Sequence, residues 1–163
     1  MKKLLCLLIF SILFLMSCVG GNKSNDFEIA LLIDLGTVDD KSFNQGSWEG
    51  VQEYAQQNNI KYKYYKVADK DIDSYLNTIE LAAKGGAKLI VTPGYMFEPA
   101  IYKAQDIYTN INFILIDGVP QDGTYTDYRT ADNTVSILYA EEEAGFLAGY
   151  AAVKDGYTNL GVM

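Results

Sequence analysis

The chain has 163 residues, 13 basic and 21 acidic side chains, a net charge of −8 and no histidine. Hydrophobic residues make up 49% of it, enough for a packed core, which excludes a disordered tail. So acidic a surface repels phosphate backbones and anionic lipid heads, which excludes nucleic acid as a partner, and the absent histidine removes the commonest general base and metal ligand, counting against hydrolases and zinc enzymes.

Met1-Lys2-Lys3, an apolar run from Leu4 to Met16 broken only by Ser11, and Ser17-Cys18-Val19-Gly20-Gly21 follow the basic, apolar and small-residue order of a secretory signal. The run is shorter than the roughly 20 residues a bilayer core requires, so a permanent membrane-spanning helix is the weaker reading. Leu15-Met16-Ser17-Cys18 resembles the bacterial lipobox, in which the cysteine is acylated and becomes the first residue after cleavage. A signal over 1–17, lipidation at Cys18 and a polar tether over 18–26 are therefore expected. Cleavage removes two lysines and no acid, leaving 146 residues and taking the net charge from −8 to −10. Cys6 is lost with the signal, so no disulfide is expected and stability must come from packing.

From Glu28 onward, apolar runs alternate with segments of helical spacing. Glu28 to Asp34 is a continuous apolar strand, the pattern of burial on both faces. Ser42 to Asn58 predicts a helix with Phe43, Trp48, Val51 and Ala55 on one face and Ser42 as its cap. Lys61 to Val67 is tyrosine-rich and alternating, which suits a strand near the sheet edge. Ile72 to Lys84 is helical and stopped by Gly85-Gly86. Lys88 to Thr92 and Asn112 to Asp117 read as two more buried strands, and between them Glu98 to Tyr108 reads as a helix with Pro99 in its first turn.

Gly118 to Thr134 reads mainly as loop, with a short strand near Tyr128. Ser136 to Lys154 reads as one long helix whose interior Gly145 and Gly149 fit either the close approach of another backbone or a pair that is merely tolerated. Asn159 to Met163 looks like the start of another strand that lacks a partner. The expected organisation is an amino-terminal lobe over 27–153, then a crossover and the start of a second lobe, missing or truncated, over 154–163. The fold class is α/β, a parallel doubly wound sheet with helices on both faces.

Ligands of such sheets bind beyond the carboxyl ends of the strands. Those ends run into Asp34, into the loop from Leu35 to Asn44, into Gly94-Tyr95-Met96-Phe97 and into Asp117-Gly118. Asp34, Asp40 and Asp117 accept hydrogen bonds and suit hydroxyls or amino groups; Asn44 both donates and accepts; Phe43, Tyr95 and Phe97 offer faces for stacking. Sugars, nucleosides and nucleobases fit that set. A phosphorylated ligand would meet like charges, and no glycine-rich phosphate loop follows the first strand. Glu141-Glu142-Glu143 reads as a solvated helix face rather than a metal site.

The segments Asp39-Asp40-Lys41-Ser42-Phe43-Asn44-Gln45, Gly94-Tyr95-Met96-Phe97, Ile114-Leu115-Ile116-Asp117 and Glu142-Glu143-Ala144-Gly145-Phe146-Leu147-Ala148-Gly149 resemble the basic membrane protein family of lipoproteins, which includes purine nucleoside receptors of ABC importers. That resemblance implies a periplasmic-binding-type (type I) lobe, a purine nucleoside as ligand, an ABC permease as partner, a lipid anchor on the outer face of the cell membrane, no cofactor and no catalysis. It implies that Phe43 stacks on the base while Asp40 and Asn44 hold its edge, with Asp34, Tyr95 and Asp117 lining the same cleft. A surface adhesin or antigen that contacts host molecules is the alternative, compatible with the 13 tyrosines of the chain.

Overall fold

The computed structural model describes residues 27–161; the expected signal, Cys18 and the tether lie outside the described residues. Five strands form one sheet: β1 (Ile29–Ile33), β2 (Tyr62–Lys66), β3 (Leu89–Pro93), β4 (Asn112–Ile116) and β5 (Thr134–Ile137). Every neighbouring pair is parallel and the order is β2-β1-β3-β4-β5. The helices are α1 (Phe43–Gln57), α2 (Ile72–Lys84), α3 (Glu98–Ile107) and α4 (Glu141–Lys154), with a single 3-10 turn at Tyr95–Phe97. This is the expected doubly wound α/β architecture.

Side chains alternate across the pleat, so β1 feeds two cores at once. Ala30 and Leu32 face α2 and α3, packing with Tyr75, Ile79, Phe97, Ile101, Phe113 and Leu115. Ile29, Leu31 and Ile33 face α1, packing with Val51, Ala55 and Val91. All five residues of β1 are buried, which is why the segment reads as an unbroken apolar run. Each such aliphatic side chain contributes on the order of 1.5–3 kcal/mol by leaving water. β2 lies at one edge, where Lys63, Tyr64 and Lys66 are exposed, as its alternating tyrosines and lysines predict.

Several expectations fail in the last third of the chain. Ser136 and Ile137 do not open a helix; they end β5, whose register pairs Ile116 with Ile137, and α4 starts only at Glu141. The alternating Thr134-Val135-Ser136-Ile137 fits the edge of the sheet, and tertiary pairing wins over the helical spacing that continues beyond it. Of the two readings of Gly145 and Gly149 the tolerated pair fits: among the described residues no atom lies within 4 Å of where a side chain would begin. Residues 159–161 form no strand. Tyr128 makes one antiparallel bridge, to Gln121, and no strand. No residue of α4 is buried, and Phe146, Leu147 and Val153 all face solvent. Among the described residues, no helix is long and apolar enough to cross a membrane.

The loop before β5 is tied to α3 by buried amides rather than by apolar packing. Gln105, itself buried, donates to the Arg129 carbonyl (2.9 Å) and accepts from the Ala131 amide (2.9 Å). Asn133 donates to the carbonyls of Gln105, Tyr108 and Ile111 at 3.0–3.2 Å. These bonds set where β5 enters the sheet and so where its carboxyl end emerges.

Candidate ligand-binding site

Because all five strands are parallel, the loops after β1, β3, β4 and β5 leave the sheet along one edge. The ladder between β1 and β3 pairs Ile29–Leu31 with Leu89–Val91 and stops, whereas β1–β2 and β3–β4 pair over five residues each. The sheet thus opens between β1 and β3 towards its carboxyl edge. Strand order reverses at this place, since β2 lies outward on one side and β4 on the other, and a crevice is expected there.

On the β1 side, Asp34 accepts the Gly36 amide at 3.1 Å, which turns the chain immediately after the strand. Asp40 then accepts three backbone amides at the start of α1: Ser42 (2.9 Å), Gln45 (3.1 Å) and Asn44 (3.3 Å). Desolvation acts to raise the Asp40 pKa, but these amides together outweigh it and hold the carboxyl below its ordinary value. Ser42 occupies the cap position without making a side-chain cap bond, so Asp40 rather than Ser42 satisfies the helix start. Asn44 is 8% exposed, with its amide nitrogen directly over Gly36: a Cβ on Gly36 would lie 2.5 Å from Nδ2. Asp34 and Asn44 therefore both lie against Gly36, and glycine leaves room for the asparagine in the rotamer it adopts.

Phe43 is 41% exposed and meets Tyr139, just past β5, edge to face with ring centroids 5.8 Å apart. With Ser42, Gly46 and Ser47 the two rings line an open cleft of about 340 Å³. Tyr139 was absorbed into the expected long helix; the strand-like alternation of Thr134 to Ile137 is the signal that would have placed it at the rim.

On the β3–β4 side, Gly94 adopts a left-handed φ of 104° and Asp117 one of 63°. Lys41 and Tyr125, in neighbouring loops, are also left-handed at 54° and 59°. Non-glycine residues held there cost on the order of 1–3 kcal/mol each and gather at sites where the fold over-determines the backbone. The Gly94 amide donates to the Ile116 carbonyl (2.7 Å) and the Asp117 amide to the Ile137 carbonyl (2.7 Å), so the two loops continue the sheet's pairing by one residue. Gly118 lies against them: a Cβ there would be 2.9 Å from Glu98 Oε1 and 3.3 Å from the Tyr95 Cα. Tyr95 is 59% exposed, and Asp117 is half-buried.

Phe97 departs from expectation. It is fully buried beneath the rim, edge to face with Tyr75 at 4.8 Å, and offers no face to a ligand. Tyr75, which sequence reasoning passed over, belongs to the site's surroundings. It is 3% exposed and its Oη has no hydrogen-bond partner. Its pKa is raised by burial first and then by the nearby charges of Asp34 and Asp71 and by Tyr95. A tyrosine among the buried positions of that helix, beside Thr78, Ile79 and Ala82, is the signal the sequence carries for it.

The structure thus brings Asp34 and Asn44 to the same glycine, Gly36, caps α1 with Asp40 beside Phe43, and sets Tyr95 against the Asp117-Gly118 turn on the same sheet edge. Phe43 lines the α1 cleft and Tyr95 a recess on the other face of the sheet. Glu141, Glu142 and Glu143 stand in the first turn of α4, where their charge favours the helix dipole, and among the described residues no acidic or thiol cluster could hold a metal ion.

Residues 27–159 match the family described as ABC transporter substrate-binding protein PnrA-like, abbreviated Bmp. The chain belongs to the Bmp family. Two curated relatives are the ABC transporter nucleoside-binding protein BmpA of Lactococcus lactis, 31% identical over 147 residues that cover 88% of this chain and 39% of that protein, and basic membrane protein A1 of Borrelia garinii, 31% identical over 156 residues, 94% and 44%. This Bmp chain spans about two fifths of the length of the curated relatives it matches. Its fold is like that of an ABC transporter solute-binding protein from Aeropyrum pernix, with a TM-score of 0.63, 21% identity and coverage of 80% of this chain and 35% of that one.

Proposed function

We propose that this Bmp chain is the capture component of an ABC importer, anchored by lipid at Cys18 on the outer face of the membrane, and that it binds a purine nucleoside without transforming it. The observation that carries the reading is the composition of one sheet edge: Asp34, Asp40 and Asp117 as acceptors, the Asn44 amide, and the exposed rings of Phe43 and Tyr95. Three carboxylates favour hydroxyl and amino groups and disfavour phosphate, so a nucleoside fits better than a nucleotide. Family membership supports a solute-binding role, and the Lactococcus relative carries nucleoside binding in its name.

In this reading Phe43 stacks on the base, Asn44 addresses its edge, and Asp40 orients both through the start of α1. The lobe described covers one face of a solute, so this lobe taken alone is expected to bind weakly, with Kd on the order of a millimolar. Calorimetric titration with inosine, adenosine and guanosine tests the proposal, with inosine monophosphate as the charged control. Binding of at least one nucleoside, recovered chemically intact and bound more tightly than the monophosphate, is the expected result; silence with all three nucleosides defeats it. The anchor is tested separately: Cys18→Ser should abolish incorporation of radiolabelled palmitate and release the protein from the membrane fraction.

A further inference from the structure

The two faces of the sheet are unequally covered. One is roofed by α2 and α3; among the described residues α1 alone lies on the other. Beside α1 runs an open apolar groove of about 520 Å³, floored by Val91, Ile114, Ile116 and Ile137. Gly46 and Gly50 form its wall on α1, and at neither would a Cβ meet any atom within 4 Å, so the wall leaves room for a further helix.

The converse is found in α4, a helix with no surface to lie on. None of its residues is buried and none lines the groove of its own chain. Phe146, Tyr150 and Val153 are spaced four and three residues apart, which puts them on one side, and each is more than half exposed. At 1.5 Å per residue its 14 residues span about 21 Å, enough to lie along a five-residue strand of about 17 Å. Only Leu138-Tyr139-Ala140 link β5 to α4, and Tyr139 is held against Phe43. A helix kept out of its own groove by a short link, in a chain that carries both halves of an apolar contact, is placed for exchange with a second copy. The two edges of the sheet agree with this. Exposed Lys63 and Lys66 guard the β2 edge against pairing, whereas Thr134-Val135-Ser136-Ile137 at the β5 edge carries no charge.

We propose that two copies of this chain form a two-fold dimer by exchanging α4, the helix of each seating Phe146, Tyr150 and Val153 in the groove between α1 and β5 of the other. Burying these side chains in both copies, with the groove they cover, reaches the order of 1,000 Å² that specific interfaces require. The contact is apolar and both copies are acidic, so salt strengthens it by screening their repulsion.

The test is sedimentation equilibrium of the whole chain bearing Cys18→Ser, which keeps acyl chains out of the measurement, over about 1–200 μM. The expected species has twice the 18.1 kDa mass of the chain and associates more tightly at high salt. Phe146→Ser removes the helix anchor and Gly50→Leu fills the groove, and each should raise the dimer dissociation constant about a hundredfold. Neither should lower the urea midpoint of the monomer, and Gly50→Leu should raise it through helix propensity. A mixture of the two variants regains one of the two reciprocal contacts, so it should associate about tenfold more tightly than either variant alone. A chain that stays monomeric throughout, including one whose α4 amides become protected from exchange in its own groove, overturns the proposal. So do open assemblies larger than a dimer, and so does a dimer lost in Phe146→Ser but not regained in the mixture, which is α4 pairing with α4.

Discussion

The two sides of the β1–β3 opening are held by different physics. The β1 side is a local construction: Asp34 bonds an amide two residues on, and Asp40 bonds amides two, four and five residues on. The β3–β4 side is tertiary. Phe97 is locked beneath the rim by Tyr75, Glu98 reaches 21 residues along the chain to accept the Val119 amide at 3.0 Å, and Gly118 lies against Tyr95. A local construction can be disturbed without unfolding the lobe, whereas the tertiary side stands or falls with the core. The carboxylates of the β1 side are partly spent on its own backbone, while the other side keeps an unspent phenol at Tyr75.

The sharpest way to break the contrast is Phe97→Ala. Emptying a fully buried aromatic site should destabilise the chain by about 3–5 kcal/mol in urea denaturation, and a loss confined to the rim would contradict the tertiary origin of that side. Gly118→Ala comes next. Its added Cβ meets Glu98 and the Tyr95 backbone, so a loss of about 1–3 kcal/mol is expected, with the Val119 amide losing protection from hydrogen exchange.

Asp40→Ala should act locally, speeding exchange of the Asn44 and Gln45 amides and weakening nucleoside binding while the rest of the lobe keeps its protection. The folded Asp40 pKa lies below the unfolded value, so its contribution is fully present above about pH 3.8 and is lost as pH falls through the folded value. Amide exchange at α1 followed from pH 6 downward should show that loss in the wild type and not in the variant. The smallest stability effect belongs to Gly36→Ala. The Cβ meets only the end of the Asn44 side chain, which can rotate away, so stability should change by less than about 1 kcal/mol while nucleoside affinity falls because the amide is displaced. Equal losses of stability in Gly36→Ala and Gly118→Ala would erase the distinction.

Much of this fold was legible in the sequence because burial leaves a pattern. The five residues of β1 are apolar and buried, α2 runs over the residues its spacing predicts and stops at Gly85, and Pro99 enters α3 in its first turn. Asp34, Tyr95 and Asp117 could be placed at the carboxyl edge of the sheet because they follow strand ends. Where apolar residues are not sorted by face the pattern fails: α4 carries leucine, phenylalanine and valine with no buried side, and its helical rhythm masked the end of β5 and with it Tyr139. Asp40 could not be told from Ser42 as the cap because both are good acceptors near a helix start, and only the turn at Lys41 decides between them. Tyr75 was illegible for another reason: its ring belongs to the core and only its hydroxyl is unspent.

The central claim is that both sides of the opening contact one neutral solute. The direct measurement is a 1H–15N correlation titration of the chain with inosine. The account predicts that Gly36 and Asn44 on one side and Tyr95 and Gly118 on the other shift together along a single binding isotherm. Shifts confined to one side, two isotherms of different affinity, or no shift at all would contradict it.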